Sequence, residues 1–295
     1  TKRCEPESPL LDLFIGHAVK VQGAYSAQIA YIDSKKQLSR CHVGYKNKLF
    51  GIPVNSSHRY RYASSSKLIT TAIVFDLIHQ KQININDALI DFFPELKVFA
   101  DERIRQISIS HLLNHTAGFD RLTLNGDPMF LRRGAPWCPQ NISRLKSLKL
   151  AFNPGEKQIY SNLGYCLLGE IIHRVSGESY RNYSERRFSL TSRNIKFIND
   201  YYYDDEVRYD YRYEEWFNDS YLKLFDFDAL SSSAGLSGSA EAFAYLLWDM
   251  HHQLPASPFY LGSLEANCDL KKPRGCLQAG IFHYQPEPNG LMLHY

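Results

Sequence analysis

Tyr62-Ala63-Ser64-Ser65-Ser66-Lys67, running straight into the apolar stretch 68–78, is the segment on which the reading of this chain turns. The apolar stretch predicts a helix, and the serines ahead of it predict the helix start. Residues three apart on a helix lie on one face, one turn apart, so Ser64 and Lys67 share a face while Ser65 and Ser66 point elsewhere. A free hydroxyl is too weakly acidic to attack a carbonyl at neutral pH, and an adjacent base that takes its proton removes that obstacle. Ser64 is therefore a candidate nucleophile and Lys67 a candidate base. Taken alone, the same residues also read as a serine-rich cap on an ordinary helix.

Upstream, residues 10–21 predict a helix in which Leu11, Phe14, Ile15 and Val19 recur at helical spacing. Residues 24–33 and 38–45 read as strands joined by the polar turn Ser34-Lys35-Lys36-Gln37, an antiparallel hairpin. A loop with Gly51 and Pro53 leads into the Ser64 helix. Downstream, Asn86 or Asp87 caps a short apolar helix stopped by Pro94, residues 107–114 form another helix, and Gly118 supplies a left-handed turn. Residues 241–251 predict a late helix, and 279–284 and 291–295 are strand-like.

A chain of 295 residues with 44% hydrophobic residues can bury the core of one large domain or two subdomains. With 34 basic and 31 acidic side chains the net charge is only +3, which gives no field to gather nucleic acid or an anionic membrane. No apolar stretch approaches the ~20 residues of a membrane helix, so no membrane span is expected. The start at Thr1 fits a processed or trimmed N-terminus. The six cysteines show no zinc spacing: Cys4 with Cys41 can tether the N-terminus to an early strand, Cys268 with Cys276 can close a polar loop, and Cys166 reads as a core residue of its helix. Such disulfides imply an oxidising compartment, periplasmic or secreted, against the alternative of six unrelated thiols.

His111 and His115 stand four apart on one helical face, the spacing of zinc hydrolases, but Leu112 follows the first histidine where those enzymes carry a glutamate. Metal ligation is set aside, and His115 is expected to cap or bond the turn that follows it. No metal and no cofactor is implied. A second constellation is Asn153-Pro154-Gly155-Glu156 followed by Tyr160-Ser161-Asn162 at the entrance to an apolar helix over 163–175, with Gly177 as its cap. A phenol and an amine packed near a serine can share one proton network, and the Asn162 amide can hold the lysine and donate to a substrate carbonyl.

Tyr60 to Lys67, Ile107 to Phe119, Asn153 to Glu156 with Tyr160-Ser161-Asn162, and Ser233 to Glu241 stand in an order and spacing that resemble the serine β-lactamase-related family, which includes class C β-lactamases, penicillin-binding DD-peptidases and family VIII esterases. The resemblance implies an α+β, β-lactamase/DD-peptidase-like fold: an antiparallel sheet flanked by helices, built from both ends of the chain, with an inserted all-α subdomain and the active site in the groove between. On this chain that gives 1–60 as the first part of the α/β subdomain, 61–240 as the mainly helical subdomain, and 241–295 as the return to the sheet. It implies Ser64, Lys67 and Tyr160 as catalytic residues, Asn162 as a substrate-positioning residue, and the Ser64 N–H as half of an oxyanion hole.

The family's third block, Lys-Thr-Gly or His-x-Gly on a strand facing the serine, is not complete here. His294-Tyr295 stands as a partial match, making His294 a candidate substrate-binding residue, and the unfinished sheet predicts a second polypeptide or a further C-terminal segment that completes it. Residues 197–227, rich in aromatic and charged side chains, read either as a lid or wall of the groove or as a decoration packing its own rings. The expected function is a serine acyl hydrolase that forms a Ser64 acyl-enzyme on peptidoglycan-type peptides or β-lactams. The alternatives are a carboxylesterase or amidase using the same residues, and a non-catalytic binding or sensor homologue.

Overall fold

The N-terminal helix starts where the chain supplies its own cap: Ser8 accepts the N–H of Leu11 at 3.4 Å and Pro9 takes the first helical position, which needs no donor. This is seen in a computed structural model of the chain, which describes residues 2–121, 130–132, 135–208, 221–253, 276–278, 281–284 and 293–294. The helix is α1 (Pro9–Lys20). Leu11 and Ile15 bury its inner face, while Phe14 of the expected apolar set is exposed.

Strands β1 (Arg3–Glu5), β2 (Ser26–Ile32), β3 (Leu38–Asn47) and β4 (Ile52–Pro53) make an antiparallel sheet ordered β1-β3-β2, with β4 also on β3. The expected hairpin is β2–β3, in register from Ser26 opposite Gly44 to Ile32 opposite Leu38. Its turn is set by the Asp33 carboxylate, which accepts the N–H groups of Lys35 and Gln37 at 2.9 and 2.8 Å. Gly44 has φ +91°, and a Cβ there would meet the Tyr25 carbonyl at 1.9 Å, so no other residue fits. The Cys4–Cys41 disulfide forms as expected, across directly paired positions of β1 and β3.

Strand β5 (Tyr60–Arg61) leads into a 3₁₀ turn, Ala63–Ser66, and then α2 (Lys67–His79). Helix α2 is buried nearly all round and packs on α4 (Asn162–Ser176), sharing one core with residues of α3 (Ile109–Leu113) and α5 (Tyr180–Phe188). The main core gathers Ile69, Ile73 and Leu77 of α2 with Leu112, Leu167, Leu168 and Ile171, whereas Leu11, Ile15 and Cys41 form a separate small core under α1. Ahead of α3, Asp87 accepts the N–H of Asn84 at 2.7 Å and so closes the preceding turn, and Asp91 closes the 3₁₀ turn Leu89–Phe92 by accepting from Ala88.

Cys166 is buried in α4 as expected, but it is not a lone thiol: it is bonded to Cys138. Burial alone cannot reveal such a pairing, because a partner 28 residues away is selected only by the packed fold. In the chain-entropy account, loops of this size contribute roughly 3–4 kcal/mol per disulfide. Cys268 lies outside the described residues.

A second antiparallel sheet orders β5, β7 (Leu236–Gly238) and β6 (Lys196–Phe197), and it brings residue 60 beside residue 238. Between β6 and β7 lie α6 (Tyr221–Leu224) and α7 (Ser231–Ala234), and β7 is followed by α8 (Ala240–Gln253). Helix α8 docks on the first sheet through the Ala240 N–H, which donates to Gln28 at 2.9 Å, and through an ion pair of Arg40 with Glu241.

Of the aromatic segment, residues 197–208 are stitched to β5. Arg59 donates to Asp205 at 3.0 and 3.1 Å and to Asn194 at 2.6 Å, Arg61 pairs with buried Glu206 at 2.5 Å, and the Tyr201 and Tyr203 rings pack edge to face. Residues 209–220, the middle of the 197–227 segment read as a lid or a decoration, lie outside the described residues. Strands β8 (Cys276–Gln278), β9 (Ile281–Tyr284) and β10 (Leu293–His294) form a third antiparallel ladder, ordered β10-β9-β8. Among the described residues no helix is long and apolar enough to cross a membrane.

Candidate active site

Ser64 sits in the 3₁₀ turn directly after Ala63, which has φ +48°, a left-handed backbone that a residue with a Cβ rarely adopts. The turn is held from behind, since Tyr62 N–H donates to the Leu236 carbonyl at 2.9 Å and Ser66 Oγ accepts the Leu236 N–H at 3.1 Å. Ser64 is left exposed on the outer side.

Lys67 runs inward from the first turn of α2 and is 1% exposed. Its Nζ donates to Asn162 Oδ1 at 2.7 Å, to the Ser233 carbonyl at 2.8 Å, and lies 3.4 Å from Ser64 Oγ. The first two are carbonyl acceptors, so they consume two of the three donor positions of the nitrogen and leave the third directed at Ser64. The Tyr160 and Tyr165 rings stand 4.7 and 5.5 Å from Nζ and cover it with aromatic surface suited to a cation. Tyr160 OH donates to Ser64 Oγ at 2.6 Å.

Tyr160 reaches this position because of how its loop is held. Gly118, with φ +93°, lets the chain pass close to the loop ahead of Tyr160: a Cβ there would lie 2.5 Å from the Phe152 carbonyl. Ala151 N–H donates to the Gly118 carbonyl at 2.9 Å and Gly155 N–H to the Thr116 carbonyl at 2.8 Å. Farther along, the Ile159 N–H donates to the His115 carbonyl at 2.9 Å and the Ser161 N–H to His115 Nδ1 at 3.0 Å. His115 does bond a turn, but it is the distant turn around Tyr160 and not the one that directly follows it. Its ring stacks on both Tyr160 and Tyr165, with centroids 4.6 and 5.2 Å apart. Burial, and then the nearby Lys67 charge, push the imidazole down to about 3, so it is neutral at ordinary pH and its Nδ1 accepts. Burial likewise pushes the Tyr165 phenol up. His111 is used differently: it exchanges bonds with Ser108 at the start of α3.

The fold thus brings Ser64, Lys67, Tyr160 and Asn162 into one hydrogen-bonded cluster. His294 lies on β10 opposite His283, where the backbone alone is described. Three participants were not assigned from sequence. The Ser233 carbonyl is a backbone atom, invisible in residue identity, although Ser233 opens the fourth of the recognised blocks. Tyr165 covers the lysine and His115 stacks on Tyr165 and Tyr160, and no spacing along the chain marks either contact. Around the cluster, α7 acts as a clasp: the Ser232 carbonyl accepts from Thr70 of α2 at 2.6 Å and Ser232 Oγ donates to the Tyr165 carbonyl at 2.8 Å.

Against known proteins, a family model described as Beta-lactamase matches residues 11–252. The chain is 36% identical over 286 residues to a Dichelobacter nodosus protein named putative fimbrial assembly protein FimD, serogroup D, and the match takes in 96% of this chain and 71% of that one. Among solved structures it superposes on a D-amino acid amidase from Ochrobactrum anthropi SV3 with TM-score 0.73 and 17% identity, covering 96% of this chain and 81% of that one. It also superposes on an octameric penicillin-binding protein homologue from Pyrococcus abyssi with TM-score 0.68 and 21% identity, covering 97% and 66%. At these identities the two structures speak for a shared fold.

Proposed function

The chain belongs to the beta-lactamase family, and on that premise we propose that it is a serine acyl hydrolase in which Ser64 is transiently acylated. The observation that carries this reading is the coordination of Lys67: two carbonyl acceptors fix its nitrogen, and its third direction faces Ser64 Oγ, which also receives the Tyr160 hydroxyl at 2.6 Å. In the amine form Lys67 keeps both carbonyl bonds and turns its lone pair on Ser64.

Ser64 Oγ attacks the substrate carbonyl and its proton passes to Lys67. The Ser64 N–H, at the start of the helical turn, donates to the oxyanion. Tyr160 gives its phenol proton to the departing amine or alkoxide and recovers a proton from Lys67 across the same network. Water then attacks the acyl ester and restores the serine. Asn162 holds Lys67 through Oδ1 and is the substrate-positioning residue beside it, and His294 is a candidate second contact from β10. The substrates favoured by this site are peptidoglycan-type peptides or β-lactams, with other amides and esters as the alternative. The Cys4–Cys41 and Cys138–Cys166 disulfides are compatible with work in an oxidising compartment, periplasmic or secreted.

A second reading draws on the relative named as a putative fimbrial assembly protein: the groove serves to hold a protein segment, and turnover is lost. One experiment separates the readings. The chain and Ser64→Ala are incubated with a fluorescent penicillin, a nitrophenyl ester and a D-amino acid amide. Covalent labelling or turnover that vanishes in Ser64→Ala supports the hydrolase. Inertness to all three, by a folded protein, overturns it and leaves the binding reading.

A further inference from the structure

We infer that His115 is the positioning residue for Tyr160, clamping the chain on both sides of it and supporting its ring so that the phenol meets Ser64. The inference rests on the reading of Ser64 as the acylated residue and extends it to a residue that does not itself touch the nucleophile.

Three contacts converge on one residue. The His115 carbonyl takes the N–H of residue 159 at 2.9 Å, its Nδ1 takes the N–H of residue 161 at 3.0 Å, and its ring lies against the ring of residue 160, 28° from parallel. Residue 160 is thereby fixed in position along the chain and in the tilt of its side chain, which are the two freedoms that set where its hydroxyl points. The bonds require an unusual backbone: His115 has φ +58°, outside the range a side-chain-bearing residue prefers. That conformation turns its carbonyl and its imidazole toward the same short segment.

A core-filling role alone does not account for the residue type. His115 is 3% exposed, and with Nδ1 accepting, the proton sits on Nε2, which finds no partner among the described residues. A phenylalanine would fill the same space without burying that donor. What the imidazole adds is the acceptor at Nδ1. Protonation would abolish that acceptor, and burial beside the Lys67 charge keeps the ring neutral far below ordinary pH. The clamp is therefore permanently engaged.

The test compares His115→Phe, which keeps a ring but has no acceptor, with His115→Asn, whose Oδ1 can take the Ser161 N–H. Each is made alone and with Tyr160→Phe. The readouts are single-turnover acylation of Ser64, substrate affinity, thermal midpoint, and crystal structures. An active site displaced by about 1 Å loses on the order of 10²-fold in rate, so His115→Phe should slow acylation by that factor with affinity changed no more than about threefold. His115→Asn should recover at least about tenfold of that loss.

In the Tyr160→Phe background, His115→Phe should cost little more, because a residue acting through Tyr160 has nothing left to position. Full additivity, or an acylation rate for His115→Phe within about threefold of the parent, overturns the assignment. Should His115→Phe not fold, His115→Asn in the two backgrounds carries the same additivity test. If the parent protein is not acylated at all, the hydrolase reading fails by itself. The clamp is then judged on the Tyr160 OH to Ser64 Oγ distance: lengthening beyond 3.5 Å from the present 2.6 Å in His115→Phe supports it, and an unchanged distance overturns it.

Discussion

A single methyl group on α4 tests how the cluster of Ser64, Lys67, Tyr160 and Asn162 is braced. Gly169 lies inside that helix, where replacing glycine by alanine ordinarily stabilises by about 1 kcal/mol through helix propensity. Here a Cβ would stand 2.5 Å from Ser232 Oγ and 2.7 Å from Ser232 Cβ. A change of rotamer can relieve the first contact but not the second, because Cβ is fixed to the backbone. Ser232 must therefore retreat by roughly 0.7 Å to reach the 3.4 Å at which ordinary contact begins.

Overpacking of this kind costs about 1–3 kcal/mol, and loss of the Ser232 bond to the Tyr165 carbonyl adds about 1 kcal/mol. Steric cost outweighs propensity, and Gly169→Ala should destabilise by about 1–3 kcal/mol. Because Ser233 is the next residue of α7 and its carbonyl holds Lys67, the same displacement should slow acylation by roughly 10- to 100-fold. Gly16→Ala in α1 is the internal control: nothing lies within 4 Å of its Cβ, so it should stabilise by about 0.5–1 kcal/mol and leave acylation unchanged. Urea denaturation at constant m-value and single-turnover acylation read both variants. A Gly169→Ala protein as stable as the parent, or one destabilised with full activity, refutes the argument that α7 braces Lys67.

Two further outcomes follow from the same geometry. Lys67→Ala should reduce acylation about as much as Ser64→Ala, and the double variant should lose little more, since residues acting as one unit are not additive; a Lys67→Ala protein retaining more than roughly a tenth of the rate contradicts the network. The Arg103 guanidinium, with the backbone N–H groups of Leu150 and Arg103, holds the Asp101 carboxyl at about 2, below its usual 3.8. A depressed carboxyl stabilises the fold above its unfolded value and ceases to do so as pH falls through its folded value. The urea midpoint should therefore decline between about pH 4 and pH 2, and Asp101→Asn should flatten that part of the profile; parallel profiles for the two proteins would count against it.

By itself the sequence determined whatever depends on spacing along one element. The three-residue step from Ser64 to Lys67 dictates a shared helical face, the polar turn at 34–37 dictates the β2–β3 hairpin, and Gly177 in its left-handed conformation ends α4 as read. Tyr160 and Asn162 were recognisable because a Pro-Gly turn and an apolar helix bracket them. Only the tertiary structure decided which distant groups meet. Lys67 is held by the carbonyl of a residue 166 positions away, and a carbonyl has no signature in residue identity. Cys166 chose Cys138, Arg61 chose Glu206, and His115 chose the chain around Tyr160 instead of its own turn. Each choice follows from burial: a charge, thiol or imidazole removed from water takes the partner that packing presents, and packing is a property of the whole chain.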